Sequence, residues 1–340
     1  MRAASSRSTG ASAASWRGEG SLRSALPEGV FGLLDGVEAR LREVGGAAPG
    51  GLARPALEAL TSGGKRLRPL LLLLSAGIGA PVWEEALRAA AATEVLHTAT
   101  LIHDDIVDKA KSRRGAPTTV ARYGREVAVA TGDYLFAEAF AALSSIGDPR
   151  VIREFAEASR GLAAGELEQF RASGGPVDVE DYLEHIKLKT AGLFRAACVA
   201  GGTLGGLSLP QIDALATYGQ ALGLAFQMSD DVMDLVGKPG IMGKGIGTDL
   251  AEGTVTLPII FALREGDAET IRRVLATPRP DPELLEAGIE AVLDTDAVAR
   301  TEAWAREEIG TALRGLEALP ACPERAFLEV IAAEVVGRDV

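Results

Sequence analysis

From about residue 28 to the C-terminus, apolar residues return every three to four positions, and this periodicity restricts the chain to helices. VFGLLDGVEARLREV (30–44) and EEALRAAAATEVLHTATLIHDDIVD (84–108) carry it most clearly. Both are built from Ala, Leu, Glu and Arg, the residues that lose least on entering a helix. Stretches alternating with period two, as strands require, are hard to find. Turn signals at GGAAPGG (45–51), SGG (62–64), RRGAP (113–117), GDP (147–149), ASGGP (172–176), GKPGIMGKG (237–245) and TPRPDP (277–282) cut the chain into about ten helices. Many of these are apolar on most sides, which places them inside a large bundle. No linker is long enough to divide domains. The expectation is one all-α domain, a single large helical bundle over residues 28–340, behind a disordered N-terminal tail at 1–27.

The tail, rich in Ser, Ala and Arg, has no apolar centre and is not a secretory signal, although its composition overlaps with that of transit peptides. A formal net charge of −12 disfavours general nucleic-acid binding. The two cysteines, Cys198 and Cys322, lie far apart with neither zinc nor disulfide spacing, so a reducing, cytoplasmic setting is expected. LLLLLSAGIGA falls short of the roughly 18 apolar residues that a membrane span needs.

Within this helical pattern, LIHDDIVDKAKSRRG (101–115) sets three carboxylates, Asp104, Asp105 and Asp108, at the end of an apolar run. On a helix, Asp104 and Asp108 share a face. The pattern returns in FQMSDDVMDLVGK with Asp230, Asp231 and Asp234 at identical spacing, again after an apolar helix, ALGLAFQM. Carboxylates this close repel one another unless cations neutralise them. Hard oxygen donors in such numbers suit Mg²⁺, which binds one or two carboxylates and fills its shell with water and phosphate oxygens. If the two helices face each other, six carboxylates surround one cavity and can hold several Mg²⁺ ions.

Basic clusters punctuate this acidic chain. GGKRLRP (63–69) supplies Lys65, Arg66 and Arg68; SRRG supplies Arg113 and Arg114; KLKT supplies Lys187 and Lys189; GKGIG supplies Lys244. Arg forks onto phosphate oxygens and Lys acts as a point charge. Together with the paired Asp motifs, they indicate a polyphosphorylated ligand, one diphosphate bridged by Mg²⁺ and another held directly by basic side chains. GKGIG lacks the spacing of a nucleotide loop.

These stretches, with YLEHIKLKTAGLF (182–194) and GKGIGTDLAEGTVTLP (243–258), resemble the trans-isoprenyl diphosphate synthases, the polyprenyl synthetase family, from about residue 30 onward. The resemblance implies the isoprenoid synthase fold around a central apolar cavity, a homodimer, and head-to-tail transfer of an allylic diphosphate onto isopentenyl diphosphate. It assigns Asp104, Asp105, Asp108 and Asp230 to Mg²⁺, with Asp231 and Asp234 close by. Lys65, Arg68, His97 and Arg114 are assigned to isopentenyl diphosphate. Arg113, Lys189, Lys244 and Gln227 are assigned to the allylic diphosphate, with Thr190 beside the reacting carbons and the released pyrophosphate as the final base. Two departures stand out: Thr254 where the family often has Lys, and Val120 where a polar residue is common. A non-catalytic regulatory subunit would be expected to lose Asp motifs, and both are complete. A terpene cyclase would need neither GGKRLRP nor a second DDxxD.

Farnesyl, geranylgeranyl and long-chain synthases share these motifs, so product length must be read elsewhere. One turn before Asp104 stand Ala99 and Thr100, where short-chain relatives carry a bulky aromatic. Leu96 is a partial obstacle, and Thr93, Ala92 and Ala89 are again small. The open wall favours a long-chain product, with Phe136 and Phe140 as candidate floor residues.

Overall fold

The computed structural model describes residues 29–113, 115–172, 178–237 and 246–337, the side chains of 168–172 excepted. Among these, sixteen α-helices form the bundle. In order they are α1 (Val30–Ala47), α2 (Ala53–Leu60), α3 (Leu67–Gly77), α4 (Trp83–Val107), α5 (Thr119–Tyr123), α6 (Arg125–Ser144), α7 (Pro149–Ala172) and α8 (Val179–Ile186). Then follow α9 (Gly192–Leu204), α10 (Leu209–Val236), α11 (Thr248–Glu252), α12 (Leu257–Glu265), α13 (Ala268–Ala276), α14 (Pro282–Leu293), α15 (Ala297–Leu316) and α16 (Pro323–Val336). The excess over the ten expected comes from short helices such as α5 and α11, and from joints that no Gly-Pro signal marks. The strand content among the described residues is one antiparallel pair, Ser112–Arg113 with Ala116–Pro117, turned by Gly115 at φ +74°.

α3 and α9 occupy the middle because they are apolar on every side. Leu70 through Leu74 are at most 1% exposed, and in α9 Phe194, Ala196, Ala197, Cys198 and Ala200 are fully buried. One face of each helix joins a core built with α10, α12, α15 and α16; the other joins a core built with α1, α4, α6 and α7. Burying five leucines contributes on the order of 10 kcal/mol before chain entropy is counted. The helices meet at Gly201, where an added Cβ would lie 2.3 Å from the Leu72 carbonyl oxygen. Backbone cannot yield as a side-chain tip can. We therefore expect Gly201→Val to destabilise the fold by about 3 kcal/mol or more in urea titration; a loss under about 1 kcal/mol would contradict this packing.

α4 and α10 are the two long helices that carry the Asp motifs. α10 starts at a capping box in which Ser208 and Gln211 close the first turn. α4 carries its carboxylates in and just past its last turn, and α10 carries Asp234 in its last turn with Asp230 and Asp231 one turn earlier. The helix dipole is negative there, so it opposes carboxylates and favours cations. α6, packed along α4, is the one helix among the described residues long and apolar enough by composition to cross a membrane, and a third of that stretch is buried in the bundle.

Candidate active site

At the end of α4, Asp104 and Asp108 stand in a common electrostatic environment with Lys189 and Glu166. Burial pushes the Asp104 carboxyl up to about 7; Glu166 and Asp108 add to the rise, and Lys189 and Arg113 oppose it. Burial raises Asp108 too. Lys189 Nζ lies 2.7 Å from Glu166 Oε2. The third carboxylate of the motif turns elsewhere. Asp105 is 5% exposed, and Arg113 places both Nε and Nη2 2.9 Å from its Oδ1.

Lys189 and Thr190 are presented by an irregularity. Between α8 and α9 the helix continues through Lys187–Ala191 as one turn of π-helix. Such an insertion shifts the side chains that follow by one position, and it recurs at functional sites. The turn packs against α10, where Gly223 allows Ala191 to approach: a Cβ there would lie 2.6 Å from the Ala191 Cα. Thr190 Oγ1 donates to Gln227 Oε1 at 2.8 Å, Gln227 Nε2 donates to Asp231 Oδ1 at 2.9 Å, and Tyr182 Oη donates to Asp231 Oδ2 at 2.6 Å. Asp231 accepts from both, so the Gln227 amide has one orientation that satisfies the chain. Its oxygen faces Thr190, and the Thr190 hydroxyl proton is committed to it. Burial holds the Asp231 carboxyl and the Tyr182 phenol well above their ordinary values.

The structure thus divides the six aspartates. Asp105 and Asp231 are buried acceptors for protein donors. Asp234 caps α11, accepting from the Thr248 and Asp249 amides at 3.2 and 3.0 Å. Asp104 and Asp230 are partly accessible, and Asp108 is exposed. Among the described residues, no three His, Cys, Asp or Glu side chains close into a cage around a metal. Mg²⁺ does not require one, since phosphate and water oxygens complete its shell. Asp104, a partly buried carboxylate at the negative end of a helix with Asp108 and Glu166 beside it, belongs to a donor set that fits a divalent cation.

On the other flank, Arg68 Nη1 lies 3.2 Å from His97 Nε2, and its guanidinium stacks 4.5 Å above the Phe194 ring. Arginine can only donate, so His97 Nε2 is the acceptor. Lys65, in the loop just before α3, is exposed. Two members of the basic clusters are ion-paired with glutamates. Arg66 is 6% exposed and spent on Glu38 and Glu94, and Lys187 pairs at the surface with Glu184 at 2.9 Å. Arg114 and Lys244 lie outside the described residues. Ala99, Thr100 and Leu96 are buried in α4 at 0, 4 and 1% exposure. Phe136 and Phe140 stack 6.4 Å apart with His103 5.9 Å beyond, packed against the α4 side of the core. Val120 sits in α5, and the Thr254 amide donates to the Asp249 carbonyl at 2.8 Å. Sequence reading did not select Glu166 or Tyr182. Glu166 is one carboxylate on a charged helix, and Tyr182 carries no motif of its own apart from the KLKT stretch that follows it.

An all-α bundle with paired aspartates and converging cations is the framework of a prenyl-transferring enzyme. The chain belongs to the polyprenyl synthetase family, whose sequence model matches residues 51–292. Its relatives include the heptaprenyl diphosphate synthase component 2 of Geobacillus stearothermophilus, 35% identical over 90% of this chain and 96% of that one. A decaprenyl diphosphate synthase from Rhodobacter capsulatus superposes with a TM-score of 0.82 at 36% identity, over 94% of this chain and 98% of that one. A polyprenyl synthase from Caulobacter crescentus CB15, complexed with calcium and isoprenyl diphosphate, superposes at 0.86 with 33% identity, over 91% and 95%. The isoprenoid synthase fold and the prenyltransferase class expected from the motifs are those of this family.

Proposed function

We propose that the protein condenses isopentenyl diphosphate with an allylic prenyl diphosphate, head to tail and with Mg²⁺, to give a long-chain trans-polyprenyl diphosphate. The observation that carries this reading is the π-turn at Lys187–Ala191. Its Lys189 stands with the first Asp motif, and its Thr190 is hydrogen-bonded to the helix of the second.

Asp104, Asp108 and Asp230 are the residues that would hold Mg²⁺, which neutralises the charge gathering on the departing pyrophosphate. The calcium and isoprenyl diphosphate in the Caulobacter relative support that assignment. Asp105 holds Arg113 at the rim, and Asp234 fixes the start of α11. Lys189 lies within reach of the same diphosphate. Gln227, held by Asp231, turns lone pairs of Thr190 toward the reacting carbons, where positive charge develops. Arg68 and His97 define a second anion pocket with Lys65 for isopentenyl diphosphate, and Arg114 and Lys244 are assigned by motif. The apolar walls keep water from the allylic cation. A homodimer through α6 is supported by its exposed Val129 and by the half-buried His103, Phe136 and Phe140 rings. The unpaired cysteines agree with a cytoplasmic setting.

Removing one cation from the second pocket separates the two diphosphates. Lys65→Ala is expected to raise KM for isopentenyl diphosphate about tenfold while leaving KM for the allylic primer within about twofold, since a charge-assisted contact contributes 1.5–3 kcal/mol. Equal rises in both would refute the two-site assignment.

A further inference from the structure

The backbone at Arg66 is left-handed, φ +48° and ψ +34°, a conformation that L side chains adopt at a cost. Glycine would take this turn without strain, yet the chain places its bulkiest cation there. The side chain explains the choice. Arg66 Nε donates to Glu38 Oε1 at 2.6 Å, Nη1 to Glu94 Oε1 at 2.7 Å, and Nη2 to the Leu60 carbonyl at 2.7 Å. Glu38 belongs to α1, Glu94 to α4, and Leu60 is the last residue of α2, where a helix leaves carbonyls without internal partners. One guanidinium therefore ties three helix segments together. One N–H on each of its three nitrogens is committed in this way, and 6% of its surface is exposed.

The neighbours of Arg66 are the residues of the second anion pocket. Lys65 precedes it, and Arg68 follows two positions later in the first turn of α3. Adjacent turns of α4 grip both sides of the bend: Glu94 holds Arg66, and His97, three residues on, meets Arg68 at 3.2 Å. The arrangement sets where the Lys65 and Arg68 side chains leave the backbone.

We infer that Arg66 is a positioning residue for isopentenyl diphosphate: anchored by Glu38 and Glu94, it sets the left-handed turn that orients Lys65 and Arg68, and does not touch the substrate itself. The inference rests on the two-diphosphate reading above and extends it to a residue of the basic cluster that the resemblance left without a role.

Calorimetric binding of isopentenyl diphosphate, and separately of farnesyl diphosphate with Mg²⁺, tests it without needing turnover. Wild type must first bind isopentenyl diphosphate; if it does not, the functional reading fails and the inference falls with it. Given wild-type binding, folded Arg66→Met should lose about tenfold or more for isopentenyl diphosphate and less than twofold for farnesyl diphosphate. Arg66→Lys, which keeps the charge but loses the fork, should not restore affinity. Adding Lys65→Ala to Arg66→Met should cost less than the product of the separate losses, because Arg66 acts through Lys65. If Arg66→Met does not fold, Glu94→Gln takes its place, weakening one arm of the fork, with an expected three- to fivefold selective loss. Unchanged isopentenyl diphosphate affinity in the folded variant, or full rescue by Arg66→Lys, would overturn the inference.

Discussion

Asp104→Asn is expected to stabilise the metal-free protein at pH 8 and to remove turnover. Unfolded, this carboxyl ionises near pH 4; in the fold, burial pushes it up to about 7. Between those values the native state keeps a proton that the unfolded chain has released, so stability contributed at this site is lost as pH climbs from 4 to 7. The full shift corresponds to about 4 kcal/mol, and solvent relaxation around a partly accessible group reduces that to roughly 1–2 kcal/mol. In chelator, wild type should lose more thermal stability between pH 5 and pH 8 than Asp104→Asn does, by a few degrees. Added Mg²⁺ should recover the loss in wild type and not in the variant, while kcat falls by about a thousandfold or more. Parallel melting profiles with and without metal would remove Asp104 from the cation site.

Ala99→Tyr is expected to convert a long-chain synthase into one that stops near C15–C20. Each turn of α4 advances about 5.4 Å, close to one extended isoprene unit. Ala99, Thr100, Thr93, Ala92 and Ala89 line some four turns with small side chains, so no bulky residue closes this wall over about the first four units of growth, and family analogy extends the open path to a long-chain product. A tyrosine five positions before Asp104 fills that path one turn below the carboxylates and leaves them in place. The competing use of these small residues is tight helix packing, since Ala99, Ala92 and Ala89 are at most 2% exposed. The two uses predict different behaviour. A ring entering a tunnel shortens the product of a stable enzyme. A ring forced into close packing costs about 1–3 kcal/mol and leaves product length unchanged. Sizing the dephosphorylated products alongside a melting curve separates them.

The parts of this molecule legible in the sequence are those in which one residue type at one spacing admits one explanation. The return of apolar residues every three to four positions marked the course of α4, and the repeated DDxxD marked the two helix ends that matter. What stayed hidden depends on contacts between distant segments. A π-turn changes no residue type, so nothing in KLKTA signals the insertion that aims Lys189 and Thr190. Tyr182 acquires its importance only when Asp231, 49 residues later, comes to lie 2.6 Å away. Arg66 looked like a phosphate ligand because it lies between two candidates, and only the buried Glu38 and Glu94 reveal where its charge goes. The motif put Asp104, Asp105, Asp108 and Asp230 together with Asp231 and Asp234 close by, and it could not show that Asp105 pairs with Arg113 or that Asp231 accepts from Tyr182 and Gln227. Spacing identified the cluster; packing sets the partners of each member.

The central claim is that this site joins isopentenyl units to an allylic primer. Its most direct test is to incubate the protein with labelled isopentenyl diphosphate and geranyl, farnesyl or geranylgeranyl diphosphate, with Mg²⁺ or with chelator, and to size the dephosphorylated products. Labelled trans-polyprenyl products longer than C20 are expected, formed with primer and Mg²⁺ and absent in chelator. Label that stays in isopentenyl diphosphate with every primer in the presence of Mg²⁺ would contradict that claim.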